Sequence, residues 1–229
     1  MKTMGKDRID VIDFMRGISI ILMVIYHWFM MSNLKSGILS VNNPFLVIIG
    51  YIARVVFIFL VGTSLQLSKQ NDVKNFLNKQ LKRVFYIAVS ALAITIVSRI
   101  VYPTIYVRFG ILHYMSVAIL MLTFLSSTPD YVPLTVGILM FIGYLFIKNI
   151  QSNNLLLNII GYYPNFNTID YFPIFKWFWL SALGMFLASN YKISSEKYTG
   201  LGKDIATLGK YSLEIYLLHF PIIYFIQSI

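Results

Sequence analysis

Cysteine is absent from the 229 residues, which excludes a disulfide framework, thiolate metal sites and a thiol nucleophile. Charge is scarce: 12% of positions are charged, about half the share of an ordinary globular chain. Carboxylates are scarcer still, with 9 Asp+Glu against 19 Lys+Arg and a formal net charge of +10. No Walker A run, HExxH pair, carboxylate-rich metal cluster or GxGxxG turn occurs, so nothing implies a metal and the common nucleotide-binding loops have no motif to carry them. What fills the chain is apolar, 58% hydrophobic and 16% aromatic. Side chains in that proportion face lipid rather than water, and disorder is excluded.

Strongly apolar runs recur at 17–31, 45–67, 84–101, 110–125, 132–147, 174–189 and 211–229. The pattern predicts an all-α, polytopic membrane bundle of about seven transmembrane helices forming a single domain over residues 1–229. Several runs are shorter than the ~20 residues a lone helix needs to cross ~30 Å of hydrocarbon, so neighbours must shelter them. The first run has no small-residue cleavage site and carries Asp13 and Arg16 at its entrance, so it is expected to remain as the first helix. A retinal protein is excluded, because the seventh run has no Lys for a Schiff base.

Loop charge predicts orientation. Lys2, Lys6, Arg8, Arg16, Lys69, Lys74, Lys79, Lys82, Arg83, Lys192, Lys197, Lys203 and Lys210 fall on one side, against Lys35, Arg99, Arg108, Lys148 and Lys176 on the other. The richer side is expected to be cytoplasmic, which puts the N-terminus inside, the C-terminus outside and the protein in the cell membrane. Basic residues spread over juxtamembrane loops suit phospholipid head groups and argue against nucleic acid. Residues 69–83 read as a short interfacial helix, since Val73, Phe76, Leu77 and Leu81 recur between basic residues. Residues 148–173, with Pro164 and Pro173 among Asn and Tyr, read as an irregular outer connection.

The ionisable residues inside these runs carry the functional argument, because lipid tolerates them badly. Arg16 and His27 are eleven residues apart, three turns plus about 20°, so they share one stripe and lie roughly 16 Å apart along the axis. Asp13 can pair with Arg16 at i, i+3, as would an ordinary salt bridge at a helix entrance. A hydrogen bond to a nearby carbonyl would also account for His27. His113 follows Arg108 in the fourth run, and Ser212, Tyr216 and His219 share a face of the seventh. All three histidines thus lie in membrane helices, which suggests a polar cavity. Asp170 is the most plausible outer carboxylate, followed by Tyr171. Arg54 either snorkels outward or pairs within the bundle, and Glu214 is expected to pair with Lys210 at the inner end of the last run.

Four segments, DFMRGISIILMVIYH (13–27), RFGILHY (108–114), DYFPIFKW (170–177) and LGKYSLEIYLLHFPI (208–222), resemble in order the heparan-alpha-glucosaminide N-acetyltransferase family, specifically its short prokaryotic members. The Arg16 to His27 spacing also resembles the Arg, ten residues, His motif of the wider membrane acyltransferases. Related short sequences tend to carry an acidic residue one turn after the first His, where this chain has Met31. They tend to carry Pro where it has Lys176, and an apolar residue where it has Glu214.

The resemblance implies a multi-pass acyltransferase taking an acetyl or other acyl group from cytosolic acyl-CoA to a hydroxyl or amine of an extracytoplasmic sugar or glycan. His27 is then the expected general base, because His works best near neutral pH. Arg16 with Asp13, and Lys82 or Arg83, would hold CoA phosphates. Arg108 or His113 would stabilise the oxyanion, and Asp170, Tyr171, Tyr216 and His219 would bind the acceptor. Direct transfer and an acyl-His intermediate both fit. A transporter or channel with a His- and Arg-lined path, and a catalytically silent scaffold, are the alternatives, and a homo-oligomer stays compatible with the sequence.

Overall fold

The computed structural model describes residues 10–36, 43–193 and 197–227. Lys2, Lys6 and Arg8 lie outside the described residues, as does the side chain of Lys35. The described chain is mostly helical: α1 (Asp10–Ser36), α2 (Pro44–Asn71), α3 (Phe76–Val101), α4 (Ile111–Leu125), α5 (Tyr131–Ile147), β1 (Gln151–Ser152), α6 (Leu155–Ile160), β2 (Tyr163–Pro164), α7 (Ile174–Asn190), α8 (Leu201–Lys210) and α9 (Ser212–Ile226). Every apolar run predicted above coincides with one of these helices. Among the described residues, α1, α2 and α3 are long and apolar enough to cross a membrane. Helices α4, α5 and α9 are apolar but shorter, and at ~1.5 Å per residue a 15-residue helix such as α4 reaches only about 22 Å.

The chain divides into two compact units, Met1–Leu60 with Ile193–Ile229, and Val61–Lys192. In the first, α8 lies against α1 backbone to backbone. A Cβ on Gly209 would stand 1.7 Å from the carbonyl oxygen of Asp13, and one on Gly17 would stand 2.0 Å from that of Ile205. Small residues at such a crossing let two helices approach closely enough for dispersion to hold them. Phe14 stacks on Tyr198 at 4.7 Å between centroids. Helix α9 is tied to α1 by Gln227, whose Nε2 donates to the Trp28 carbonyl at 3.0 Å and to Ser32 Oγ at 2.6 Å.

In the second unit α7 is the central element, buried at Trp177, Phe178, Ser181 and Met185. The later turns of α2 meet it through a polar ladder at near-helical spacing. Thr63 Oγ1 donates to the Gly184 carbonyl, Gln66 Nε2 to Ser189 Oγ and Gln70 Nε2 to the Ala188 carbonyl, each at 3.2 Å. Tyr114 of α4, fully buried, shares a 2.7 Å hydrogen bond with Ser181.

Two expectations about connections change. Residues 69–83 form no separate interfacial helix: α2 runs to Asn71, a turn follows, and α3 begins at Phe76. Val73, Leu77 and Leu81 are exposed while Phe76 and Gln80 are buried, so the apolar residues do not line one face. The turn is held by Asp72, which accepts from Lys79 Nζ at 2.7 Å and from the Asn75 N–H at 3.2 Å. That ammonium, with the Asn75 donors, holds the Asp72 carboxyl at about 2, below its ordinary 3.8. Residues 192–210, read as a loop, contain α8.

The connection between α5 and α7 is irregular as predicted but ordered. β1 and β2 pair in parallel, Gln151 opposite Tyr163, with α6 between them. Beyond β2 the chain hydrogen-bonds the segment preceding α4, Ile169 N–H to the Ile105 carbonyl at 2.8 Å and Phe172 N–H to the Phe109 carbonyl at 3.0 Å.

Candidate functional site

The first unit holds a pair of imidazoles. His27, on the stripe of α1 that begins at Arg16, lies 4.9 Å between centroids from His219 of α9. His219 Nε2 is 3.2 Å from His27 Nδ1, His27 Nδ1 is 3.0 Å from the Met23 carbonyl oxygen, and His219 Nδ1 is 2.6 Å from that of Tyr216. A carbonyl can only accept, so in each ring the proton sits on Nδ1. His219 Nε2 is then a lone pair facing the His27 Nδ1–H, and that hydrogen is shared between Met23 and His219. In a neutral ring with that tautomer the lone pair of His27 is on Nε2.

Around the pair stand Tyr216, 5.4 Å between centroids from the His219 ring, and Phe220, edge-on to His27 at 6.2 Å. Arg54 also belongs here. Its Nε donates to the Gly50 carbonyl at 2.9 Å, and its guanidinium lies 5.7 Å from the centroid of Tyr26, whose ring is 5.3 Å from that of His27. The signal for it was in the sequence, an arginine deep in an apolar run, but nothing linear tied it to His27.

At the start of α1, Arg16 pairs with Asp13 at 3.0 Å, as i, i+3 spacing predicts. Asp13 is only 1% exposed, so the guanidinium offsets a carboxylate that could not otherwise be buried. No ion pair joins Lys210 to exposed Glu214 among the described residues.

The second unit receives the remaining predicted residues, and several have local structural duties. His113 is the third residue of α4. Its Nδ1 accepts from the Gly110 N–H at 3.3 Å, while Nε2 lies 3.3 Å from Thr95 Oγ1, whose own proton goes to the Val107 carbonyl at 2.9 Å. Both ring nitrogens are therefore engaged, Nδ1 as acceptor and Nε2 as donor. Asp170 Oδ2 accepts from the Ile111 N–H at 2.9 Å, which caps the helix from another segment and suits the positive end of its dipole. Together the imidazole and the carboxylate satisfy two N–H groups that no side chain of Gly110 could reach.

Arg108 stacks between two rings, 3.9 Å from the centroid of Phe166 and 4.9 Å from that of Tyr106. Tyr171 shares its hydroxyl proton between the carbonyls of Asn158 at 2.6 Å and Tyr162 at 2.8 Å. Burial, and then neighbouring Tyr144, push that phenol above its ordinary value. Lys82 is exposed and Arg83 half-buried, both in the second turn of α3.

No group of three or more His, Asp or Glu among the described residues could hold a metal. These features describe a membrane-associated helical protein that carries imidazoles and guanidiniums on apolar helices. The chain belongs to the family of heparan-alpha-glucosaminide N-acetyltransferase catalytic domains, whose profile matches residues 8–221. That places it among the acetyltransferases. No curated protein matches the chain, and no solved structure does.

Proposed function

We propose that the chain is a multi-pass transmembrane acyltransferase, its N-terminus cytoplasmic and its two units acting as one domain. It moves an acetyl group from cytosolic acetyl-CoA to a hydroxyl or amine of an extracytoplasmic sugar. The observation that supports this reading most is the His27–His219 pair, because acyl transfer from a thioester needs a base that removes the acceptor's proton as attack proceeds. His27 Nε2 takes that proton while the acceptor oxygen or nitrogen bonds to the thioester carbon. The tetrahedral intermediate then collapses, the C–S bond breaks, and His27 returns the proton to the leaving thiolate. His219 orients the base, so that the charge developing on His27 is met by the Met23 carbonyl and by the His219 lone pair. It serves in place of the acidic partner that Met31 does not supply.

Arg54 offers positive charge to the oxyanion, a service worth about 2.7 to 4 kcal/mol per donor where it has been measured. Arg108 stays a candidate for the same task or for the acceptor, whereas His113 is better explained as a cap. Arg16 with Asp13, and Lys82 with Arg83, are proposed to hold the CoA phosphates. In proteoliposomes with acetyl-CoA on the cytoplasmic side, His27→Ala is expected to lower acyl transfer at least a hundredfold with the helical content unchanged. Retained transfer would remove His27 as the base, and sugar flux independent of CoA would favour a transporter instead.

A further inference from the structure

Two guanidiniums and two rings stack where α3 ends and α4 begins. Arg99, in the last turn of α3, lies 5.5 Å from the centroid of Tyr106. Arg108 lies 4.9 Å from the same centroid and 3.9 Å from that of Phe166. We infer that this stack is a binding site for a phospholipid head group, held through its phosphate and selective for lipids of net negative charge. The lipid is neither donor nor acceptor of an acyl group, so the site goes beyond the reading above.

The chain fixes the stack from both sides. Thr168 Oγ1 donates to the Tyr106 carbonyl at 3.0 Å, and the Ile169 N–H to the Ile105 carbonyl at 2.8 Å. The segment that carries Phe166 is thereby tied to the one that carries Tyr106 and Arg108. A guanidinium already laid on two rings loses less rotamer freedom when it binds.

Neither arginine is neutralised by the protein. Among the described residues neither guanidinium forms an ion pair or a hydrogen bond, and Arg108 Nε is buried without an acceptor. The carboxylates of this unit are engaged elsewhere: Asp170 Oδ2 accepts from the Ile111 N–H, Asp72, before α3, pairs with Lys79, and Asp130, after α4, accepts from Ser189. Both guanidinium carbons lie within 5.5 Å of one centroid, so their charges are no farther apart than about one Debye length, ~8–10 Å, and repel. An anion relieves that repulsion, and a phosphate meets the fork of a guanidinium with two oxygens at once.

The surroundings select a lipid over a dissolved anion. Arg99 is exposed, as are Ile96, Val97, Ile100 and Val101 around it, and α3 is long and apolar enough to cross a membrane. Exposed aliphatic side chains leading up to an arginine at the helix end put its guanidinium where hydrocarbon gives way to head groups, the depth at which a phospholipid carries its phosphate. A zwitterionic lipid brings its own ammonium to the same place, so phosphatidylglycerol fits two positive charges better than phosphatidylcholine does.

The experiment embeds the full chain in nanodiscs of phosphatidylcholine with a minority of phosphatidylglycerol and counts the lipids retained on the chain by native mass spectrometry. Phosphatidylglycerol is expected to be retained roughly fivefold above its share of the bilayer. Arg99→Gln, at an exposed position, should lower that enrichment about twofold, and Arg99→Gln with Arg108→Gln should remove most of it. Arg108→Lys keeps the charge without the planar fork and should also lose enrichment, whereas Tyr106→Phe keeps the ring and should retain it. Removing two charges elsewhere, Lys203→Gln with Lys210→Gln, should leave the enrichment in place. Undiminished enrichment in the double arginine variant, or an equal loss in the double lysine variant, would overturn the inference. Displacement of the lipid by inorganic phosphate in large excess would do the same, since the site would then serve a dissolved anion. The His27→Ala chain should retain phosphatidylglycerol normally, so a failed lipid site and a failed acyl-transfer mechanism give different results.

Discussion

His219→Phe isolates the orienting half of the imidazole pair. The substitution keeps a ring among Tyr216, Phe220 and His27 but removes the Nε2 lone pair 3.2 Å from His27 Nδ1. His27 does not lose its tautomer, because the Met23 carbonyl still accepts the Nδ1 proton at 3.0 Å. What is lost is one of two acceptors for one hydrogen, about 0.5–1.5 kcal/mol for a neutral hydrogen bond. At ~1.4 kcal/mol per factor of ten, kcat is expected to fall about two- to tenfold, well short of the loss in His27→Ala. KM for acetyl-CoA should not move, since no phosphate contact is assigned to either ring. His219→Gln, whose amide oxygen can reach the position of Nε2, should recover most of the rate. With only three histidines in the chain, ¹⁵N-labelled imidazole also gives a direct readout: Nδ1 of His27 should stay protonated in all three proteins. A His219→Phe chain as inactive as His27→Ala would make His219 the base, and an unchanged rate would make the pair idle.

Other substitutions test the scaffold. Asp170→Ala removes the acceptor facing the Ile111 N–H and should cost about 1–2 kcal/mol in unfolding from mixed micelles, with Asp170→Asn losing less; equal stability of all three would refute the capping role. Gly209→Ala drives a methyl into the Asp13 carbonyl, which as backbone cannot swing aside, and a loss of about 3 kcal/mol is expected. Gly143→Ala, whose methyl would meet only the Phe175 ring at 3.6 Å, should stay within about 1 kcal/mol of the native chain. If the two alanines behave alike, the close approach of α1 and α8 is not what holds them. The turn between α2 and α3 should respond to acid. Because folding lowers the Asp72 pKa, its stabilising contribution is complete above 3.8 and is lost as pH falls through about 2. Amide exchange at Asn75 should accelerate, relative to its intrinsic rate, over that window, and Lys79→Met should move the midpoint upward; an unmoved midpoint would break the assignment.

The helical framework was legible because burial in lipid leaves a one-dimensional trace: an uninterrupted apolar run needs no partner to be recognised. Helix α8 left no such trace. Its ten residues include Gly202, Gly209, Lys203, Asp204 and Lys210, and what makes it a helix of the core is the fit of Gly209 and Ile205 against α1, a property of two segments nearly two hundred residues apart. The turn at Asp72 misled for the opposite reason. Val73, Phe76, Leu77 and Leu81 have the spacing of an amphipathic face, yet Phe76 is buried and the other three are exposed, because α3 starts at Phe76 and sets a different face inward.

For the site, the sequence showed what shares a helix and hid what crosses between helices. Asp13 with Arg16, and the stripe to His27, follow from 100° per residue. His113 stood out as a histidine inside an apolar run and Asp170 as an outer carboxylate. His113 Nδ1 and Asp170 Oδ2 accept from the N-terminus of α4, and Gly110 explains why: with no side chain it cannot cap its own helix, so a carboxylate sixty residues on and an imidazole three residues on do so jointly. Met31 posed the sharper puzzle, since a proposed base without an acidic neighbour on its own helix lacks an evident orienting group. On the proposed reading His219, 192 positions away, fills that place, with its Nε2 3.2 Å from His27 Nδ1. Two neutral rings, each with its Nδ1 proton on a carbonyl of its own helix, leave one lone pair turned inward and one lone pair available for chemistry. An acidic residue in place of His219 would bring a net charge into the apolar helices, which a neutral imidazole avoids.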